Sequence, residues 1–431
     1  MTTQAHRPPP LAVPPADELH SWHHPSVLAA AALSVASGFA QFGVTTTLPD
    51  VASEFGELVG GGEGLAAQAG LSGITLGLGL GVIRLASLGT LPLSALADGY
   101  GRRRVILGVT ALGLALTASA ALSPGYWWFV LVIALGRPLL STTNALSAVV
   151  ATEETRTKDR AWAIGLVTAG YGIGAGLSAL VRGAVGESFG FRELFALCLI
   201  PLVALPLLAR VLKEPARFNR MHRVVGEVPL LRRVPRSGEL GRRFRLMAVL
   251  IFCIAFLTGP ANTFLFLYGE NVLQMPRSST AIAVIAVAPL GLVGLLVGRL
   301  LADRVGRVPT SAVLQALTAV AAIITYSGTQ TAVLLGYFAT IAFGSAWGPA
   351  TGAMSGELFP TSIRSTVAGA LTAVNVLGAV AGLVVFGVLG DAFGSFGWAI
   401  WAVALPAMLS APLYLRLPET RHLELEQSAP E

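Results

Sequence analysis

Charge is scarce in this chain: only 12% of its 431 residues are Asp, Glu, Lys or Arg, against about 25% in soluble domains. Lysine accounts for 2 of the 29 basic residues, an arginine bias of the kind a GC-rich bacterial genome imposes. The two cysteines, Cys198 and Cys253, exclude a disulfide framework; both fall in apolar runs and read as small core residues. All six histidines, His6, His20, His23, His24, His222 and His422, lie outside the long apolar runs, and no Asp or Glu stands at the middle of one. The interior therefore offers no evident proton carrier, and no nucleophile, base or metal cluster that would suit an enzyme. His20, His23 and His24 lack a further ligand at fixed spacing and read as part of a solvated tail, so neither metal nor cofactor is expected.

What is abundant is apolar surface, at 54% of residues. A hydrocarbon core of about 30 Å needs about 20 apolar residues in a helix. Runs of that length are found near 27–48, 70–96, 104–122, 128–151, 161–184, 192–212, 246–268, 280–301, 309–327, 331–355, 365–389 and 396–415. Twelve spans predict an all-α integral membrane protein. Segments 97–104, 152–160, 213–245 and 302–308 fall on one side and hold most of the basic residues, ten of them between Lys213 and Arg245. By the positive-inside rule that side is cytoplasmic, and an even span count places both termini there. The opposite loops carry mainly acids, including Asp50, Glu54, Glu57, Glu63, Glu187, Glu270 and Asp391, with Arg192 and Arg277 as basic exceptions. The net charge of +6 sits at helix ends and in the central linker, where an anionic lipid leaflet is the expected partner rather than nucleic acid. Residues 1–25 lack a secretory pattern and read as a tail.

The chain repeats itself. Leu96-Ala97-Asp98-Gly99-Tyr100-Gly101-Arg102-Arg103 returns as Leu301-Ala302-Asp303-Arg304-Val305-Gly306-Arg307-Val308, an offset of 205 residues. Glu153 precedes Arg160 by seven residues, as Glu357 precedes Arg364. A tandem duplication predicts two like six-helix bundles facing each other across a pseudo-two-fold axis. The expected organisation is an N-terminal tail (1–26), a first bundle (27–212), a basic linker (213–245), a second bundle (246–416) and a C-terminal tail (417–431).

The octamers, with Glu357-Leu358-Phe359-Pro360-Thr361-Ser362-Ile363-Arg364 and Pro418-Glu419-Thr420-Arg421, resemble the loop signatures of the major facilitator superfamily, nearest to its sugar-porter and metabolite:proton symporter branches. Ser94 stands where that signature begins with Gly, and Gly99 replaces a basic residue. Helix 7, Phe256-Leu257-Thr258-Gly259-Pro260-Ala261-Asn262, lacks the paired amides of sugar porters, so a carbohydrate substrate is not expected. Gly170 to Gly176 in helix 5 is glycine-rich like a drug antiporter's but has no Gly-Pro step, and close helix packing suffices to explain it. The resemblance implies a conformational latch made by Asp98, Gly101, Arg102, Arg103, Glu153 and Arg160, and by Asp303, Arg304, Gly306, Arg307, Glu357 and Arg364, in which the arginines pair with the acids ending helices 4 and 10.

An ionisable side chain inside a membrane helix costs at least ~2.5–3.5 kcal/mol on insertion scales and so marks a cavity. Arg84 lies about 21 Å along helix 2 from Asp98, and Arg137 about 14 Å along helix 4 from Trp128, too deep to reach either surface. Arg137, Ser141 and Asn144 share a helical face, matched on helix 1 by Ser34, Ser37, Gln41 and Thr45. With Asn262, Trp347 and Asn375 from the second half, the expected substrate-binding set is Arg84, Arg137, Gln41, Ser141, Asn144, Asn262, Trp347 and Asn375. Two arginines without a counter-acid predict a small organic anion such as a carboxylate, moved by a secondary transporter of the plasma (inner) membrane, with a coupling ion as an open question. The alternatives are proton-driven efflux of amphipathic compounds and a non-transporting nutrient sensor.

Overall fold

The computed structural model describes residues 20–56, 69–156, 159–185, 189–214, 235 and 237–421. Among them are twelve helices long and apolar enough to cross a bilayer: α1 (Pro25–Thr46), α2 (Gly73–Ala97), α3 (Arg102–Leu122), α4 (Tyr126–Glu154), α5 (Arg160–Val185), α6 (Phe191–Val211), α7 (Gly238–Thr263), α8 (Arg277–Arg304), α9 (Arg307–Thr325), α10 (Gln330–Glu357), α11 (Thr366–Phe393) and α12 (Phe396–Arg416). They form two bundles of six. Leucines, isoleucines and valines that a soluble protein would bury are exposed on the perimeter, among them Ile200, Val203, Leu292 and Leu409. They belong against lipid, where apolar exposure costs nothing. Trp127 and Trp128, both about half exposed, ring the start of α4 as an interfacial belt does.

Three features differ from the sequence reading. Helix α7 begins at Gly238, so Arg242, Arg243 and Arg245 lie on a helix rather than in a linker; Glu239 pairs with Arg242 and Arg243 one turn on and lets the helix continue beyond the apolar run. The second span is interrupted by a 3₁₀ turn at Ser87–Gly89. His20 is docked rather than solvated: its N–H donates to the Glu154 carbonyl at 2.9 Å, and its ring stacks on His24 at 3.8 Å. Burial, with His20 alongside, holds the His24 imidazole below its ordinary pKa, 3.8 Å from the Glu154 carboxylate. The remainder of the proposed N-terminal tail (1–19), most of the linker (215–234) and the end of the chain (422–431) lie outside the described residues, as do Glu57, Glu63 and Glu187.

The halves touch along two seams, α2 against α11 and α5 against α8. Both seams lie towards the end opposite the arginine-rich loops. Gly77 of α2 packs so closely on the Leu383 carbonyl of α11 that any side chain would collide with it. The Asp391 carboxylate, at the end of α11, accepts from the Gly73 and Ile74 N–H groups at 2.7 and 2.8 Å, capping α2 from across the seam.

Candidate functional site

Halfway along the spans, between the bundles, lies a cavity of about 260 Å³. Helices α1, α2, α4 and α5 contribute Phe42, Thr45, Leu80, Ile83, Arg84, Arg137 and Tyr171; α7 and α11 contribute Thr258, Asn262, Thr263, Asn375 and Leu383. No acid is among the lining residues. Arg137 Nε donates to Ser87 Oγ at 3.0 Å, using the hydroxyl that the 3₁₀ turn presents. Asn262 Nδ2 donates to the Thr258 carbonyl at 3.0 Å, whereas Asn262 Oδ1 is buried and accepts from none of the described residues. Two guanidinium forks, an idle amide acceptor and a wall of aromatic and aliphatic groups suit a ligand with an anionic end, an apolar body and a donor such as a hydroxyl.

Of the eight residues expected at the substrate site, Arg84, Arg137, Asn262 and Asn375 line this cavity together. Trp347 does not. It lines an adjoining void of about 350 Å³ that shares Asn375, and its indole N–H is taken by the Tyr414 hydroxyl at 3.0 Å. Gln41, Ser141 and Asn144 do not reach the cavity either. They form a ladder between α1 and α4: Ser34 donates to Asn144, Ser37 to the Leu140 carbonyl at 2.8 Å, Gln41 to Ser37 at 2.9 Å, and Ser141 to Gln41 at 3.0 Å. Polar stripes on two helices satisfy one another wherever they face each other away from water.

The sequence reading passed over a buried charge cluster at the closed end. Arg182 of α5, 2% exposed, donates to both oxygens of Asp50 at 2.8 Å and to both of Glu270 at 2.9 and 2.7 Å. Arg277 of α8 reaches Asp50 Oδ1 at 2.8 Å, and Thr280 donates to Glu270 Oε1 at 2.6 Å. Arg182 and Asp50 belong to the first bundle and Glu270 and Arg277 to the second, so two of the pairs cross the seam. Glu270 sits in a single π-helical turn, Tyr268–Val272, which swings its carboxylate inward.

At the arginine-rich end each bundle is bonded within itself. Arg102 pairs with Glu153 at 3.2 Å, and Arg307 with Glu357 at 2.6 Å. Glu214 caps α3 by accepting from the Arg102 and Arg103 N–H groups at 2.5 and 3.0 Å, and Arg103 anchors to the Ala209 and Leu212 carbonyls at 2.7 Å each. In the second half Glu419 caps α9 through the Arg307 and Val308 N–H groups, both at 3.0 Å. Glu214 and Glu419 are separated by 205 residues, the period of the octamers, yet Glu214 was not singled out from sequence because it opens the basic linker. Among the described residues Asp303 pairs with Arg299, at 3.9 Å and exposed, and Arg304 is exposed beside it. Arg364 donates to the Phe359 carbonyl at 3.4 Å, and Arg160 and Arg364 each keep a buried Nε with no acceptor among the described residues. The Asp98 side chain lies outside the described residues.

Gly101 and Gly306 open these caps with φ of 97° and 130° and extended ψ, a region that side chains with a β-carbon avoid. A β-carbon at either would also press on the capping carboxylate. Alanine at Gly101 or at Gly306 is expected to cost ~1–3 kcal/mol, seen as a lower Tm of similar size for both in detergent; an unchanged Tm would mean the caps relax without strain.

The Major Facilitator Superfamily model matches residues 30–309, and the Sugar (and other) transporter model matches residues 230–431. A probable 4-methylmuconolactone transporter of Cupriavidus pinatubonensis is 26% identical over 83% of this chain and 86% of its own length. The cis,cis-muconate transport protein of Acinetobacter baylyi is 24% identical over 79% and 86%, and the 3-(3-hydroxy-phenyl)propionate transporter of Escherichia coli 26% identical over 78% and 82%. Among solved structures, the inward-open xylose transporter XylE of E. coli superposes with a TM-score of 0.70 at 16% identity, covering 93% of this chain and 98% of that one. On the family match and the shared fold, the chain belongs to the Major Facilitator Superfamily and is a membrane transporter rather than an enzyme.

Proposed function

We propose that this transporter carries a small organic anion, a carboxylate with an apolar body, across the plasma membrane, binding it in the cavity lined by Arg84 and Arg137. The observation that carries the reading is the pair of guanidiniums in one cavity whose lining includes no acid. Each guanidinium presents a planar fork that matches a carboxylate through two parallel hydrogen bonds. Phe42, Tyr171 and Leu383 supply contact for an unsaturated or aromatic body, and Asn262 Oδ1 an acceptor for a hydroxyl. The compounds named for the relatives from C. pinatubonensis, A. baylyi and E. coli have unsaturated or aromatic bodies, and the last also carries a hydroxyl.

The arginine-rich end and both termini face the cytoplasm. On that orientation the seams close the outer end, and the cavity faces inward. The pairs Arg102–Glu153 and Arg307–Glu357, with Asp98 and Asp303 near the ends of α2 and α8, act as the latch that forms between the bundles when the inner end closes. Alternating access then consists of the bundles rocking about the cavity.

Counterflow in liposomes tests the reading. Labelled cis,cis-muconate and 3-hydroxyphenylpropionate are expected to enter preloaded vesicles saturably and to compete with each other, while xylose and a cationic amphiphile do not compete. Saturable movement of the cation or the sugar, untouched by any carboxylate, would overturn the reading. Labelling of a cysteine placed at Ser237 by an impermeant reagent outside intact cells would reverse the orientation.

A further inference from the structure

Within the twelve spanning helices no histidine occurs, and every acid lies in a first or last turn. Asp50 and Glu270, the buried carboxylates at the closed end, are already bonded to Arg182. At the depth of the cavity the described residues provide two arginines and nothing of opposite charge. Arg137 gives one donor to Ser87, which satisfies a hydrogen bond but leaves the charge.

We infer that the transporter is an obligatory anion exchanger, returning one anion for each that it moves. The inference rests on the anion-binding reading above and adds what drives the cycle. To change its facing, the protein closes the cavity at both ends, stripping water from whatever the cavity holds. Empty, it holds two like charges, and enclosing uncompensated charge at membrane depth is costly. Loaded, a carboxylate on each guanidinium, or both carboxylates of a dianion, restores neutrality. Reorientation is then fast with an anion aboard and slow without one, which is the kinetic definition of exchange. Proton symport would require a group at the site that takes up and releases a proton. Arginine stays protonated throughout the physiological range, and a proton added elsewhere in the cavity would raise its charge further.

The test uses the purified full-length protein in liposomes loaded with labelled cis,cis-muconate. Efflux is followed into buffer containing unlabelled muconate, into a chloride-free zwitterionic buffer with no small anion, and into that buffer with an imposed pH gradient of either sign. Efflux into muconate is expected to be at least about tenfold faster than into the anion-free buffer, with no acceleration from the pH gradient. Arg84→Gln removes one of the two charges, so its ratio of exchange to net efflux should fall several-fold towards one, even as its exchange slows. Equal rates with and without external anion, or accumulation driven by the pH gradient, would overturn exchange and leave the anion reading standing. An unchanged ratio in Arg84→Gln would also overturn it, since the uncompensated charge would not be what holds the empty carrier. Absence of muconate counterflow, with no competition from other carboxylates, would remove the anion reading and exchange with it.

Discussion

Arg84→Gln and Arg137→Gln should each weaken binding of a carboxylate substrate by about ten- to a hundred-fold, because a hydrogen bond to a charged group contributes ~1.5–3 kcal/mol. Glutamine retains donors but not the charge, and in a cavity without acids the charge is what draws the anion from water. Lysine at either position should restore part of the affinity, since it keeps the charge and loses the fork. Stability separates this from a structural role. Arg84 lines the cavity beside a second arginine, so neutralising it relieves repulsion and should leave Tm unchanged or higher; Arg137→Gln forfeits only the bond to Ser87. A lowered Tm with unaltered dissociation constant in both variants would make the arginines braces rather than ligands.

The second large effect is expected at the closed end. Arg182→Gln leaves Glu270 with Thr280 and Asp50 with Arg277, short of the guanidinium that satisfied both. Breaking a buried pair by removing one partner costs ~3–5 kcal/mol. Two of the severed contacts cross the seam, so opening it to water relieves the penalty, and a penalty of this size shifts a two-state balance by more than about a hundred-fold. A cysteine at Ala281, which faces Gly183 across the seam, should become reactive to impermeant reagents in Arg182→Gln once Cys198 and Cys253 are replaced. Adding Glu270→Gln rebalances the charge while leaving the Asp50–Arg277 pair at 2.8 Å in place, and should restore protection. Equal protection in the native protein and Arg182→Gln would show that packing of α2 on α11 closes this end unaided.

The architecture was legible because lipid is a strict solvent: runs of about 20 apolar residues leave few alternatives, and a doubled octamer announces doubled bundles. Arg84 and Arg137 were legible for the same reason, since charge at that depth needs a cavity. Asn262 and Asn375 joined them in the cavity, but the other neighbours were not legible. The period that aligned Arg137, Ser141 and Asn144 places them on one face without saying what the face meets, and Ser141 and Asn144 meet α1. Tyr171 reaches the cavity from a stretch whose glycines accounted for it as packing alone. Arg182, three residues from the end of its span, was not singled out. Its partners stand 132 and 88 residues away, and only the fold brings them together.

The carboxylate caps at Glu214 and Glu419 give each bundle a buckle. The end of the sixth helix is fastened to the start of the third, and the end of the twelfth to the start of the ninth, before the chain goes on elsewhere. Each bundle's last helix is thus tied back to its own third helix rather than to its twin. The same fastening in both halves, at the same spacing, leaves the two halves free to differ elsewhere. They do differ in the cavity, where the first half supplies the charges and the second half the amides.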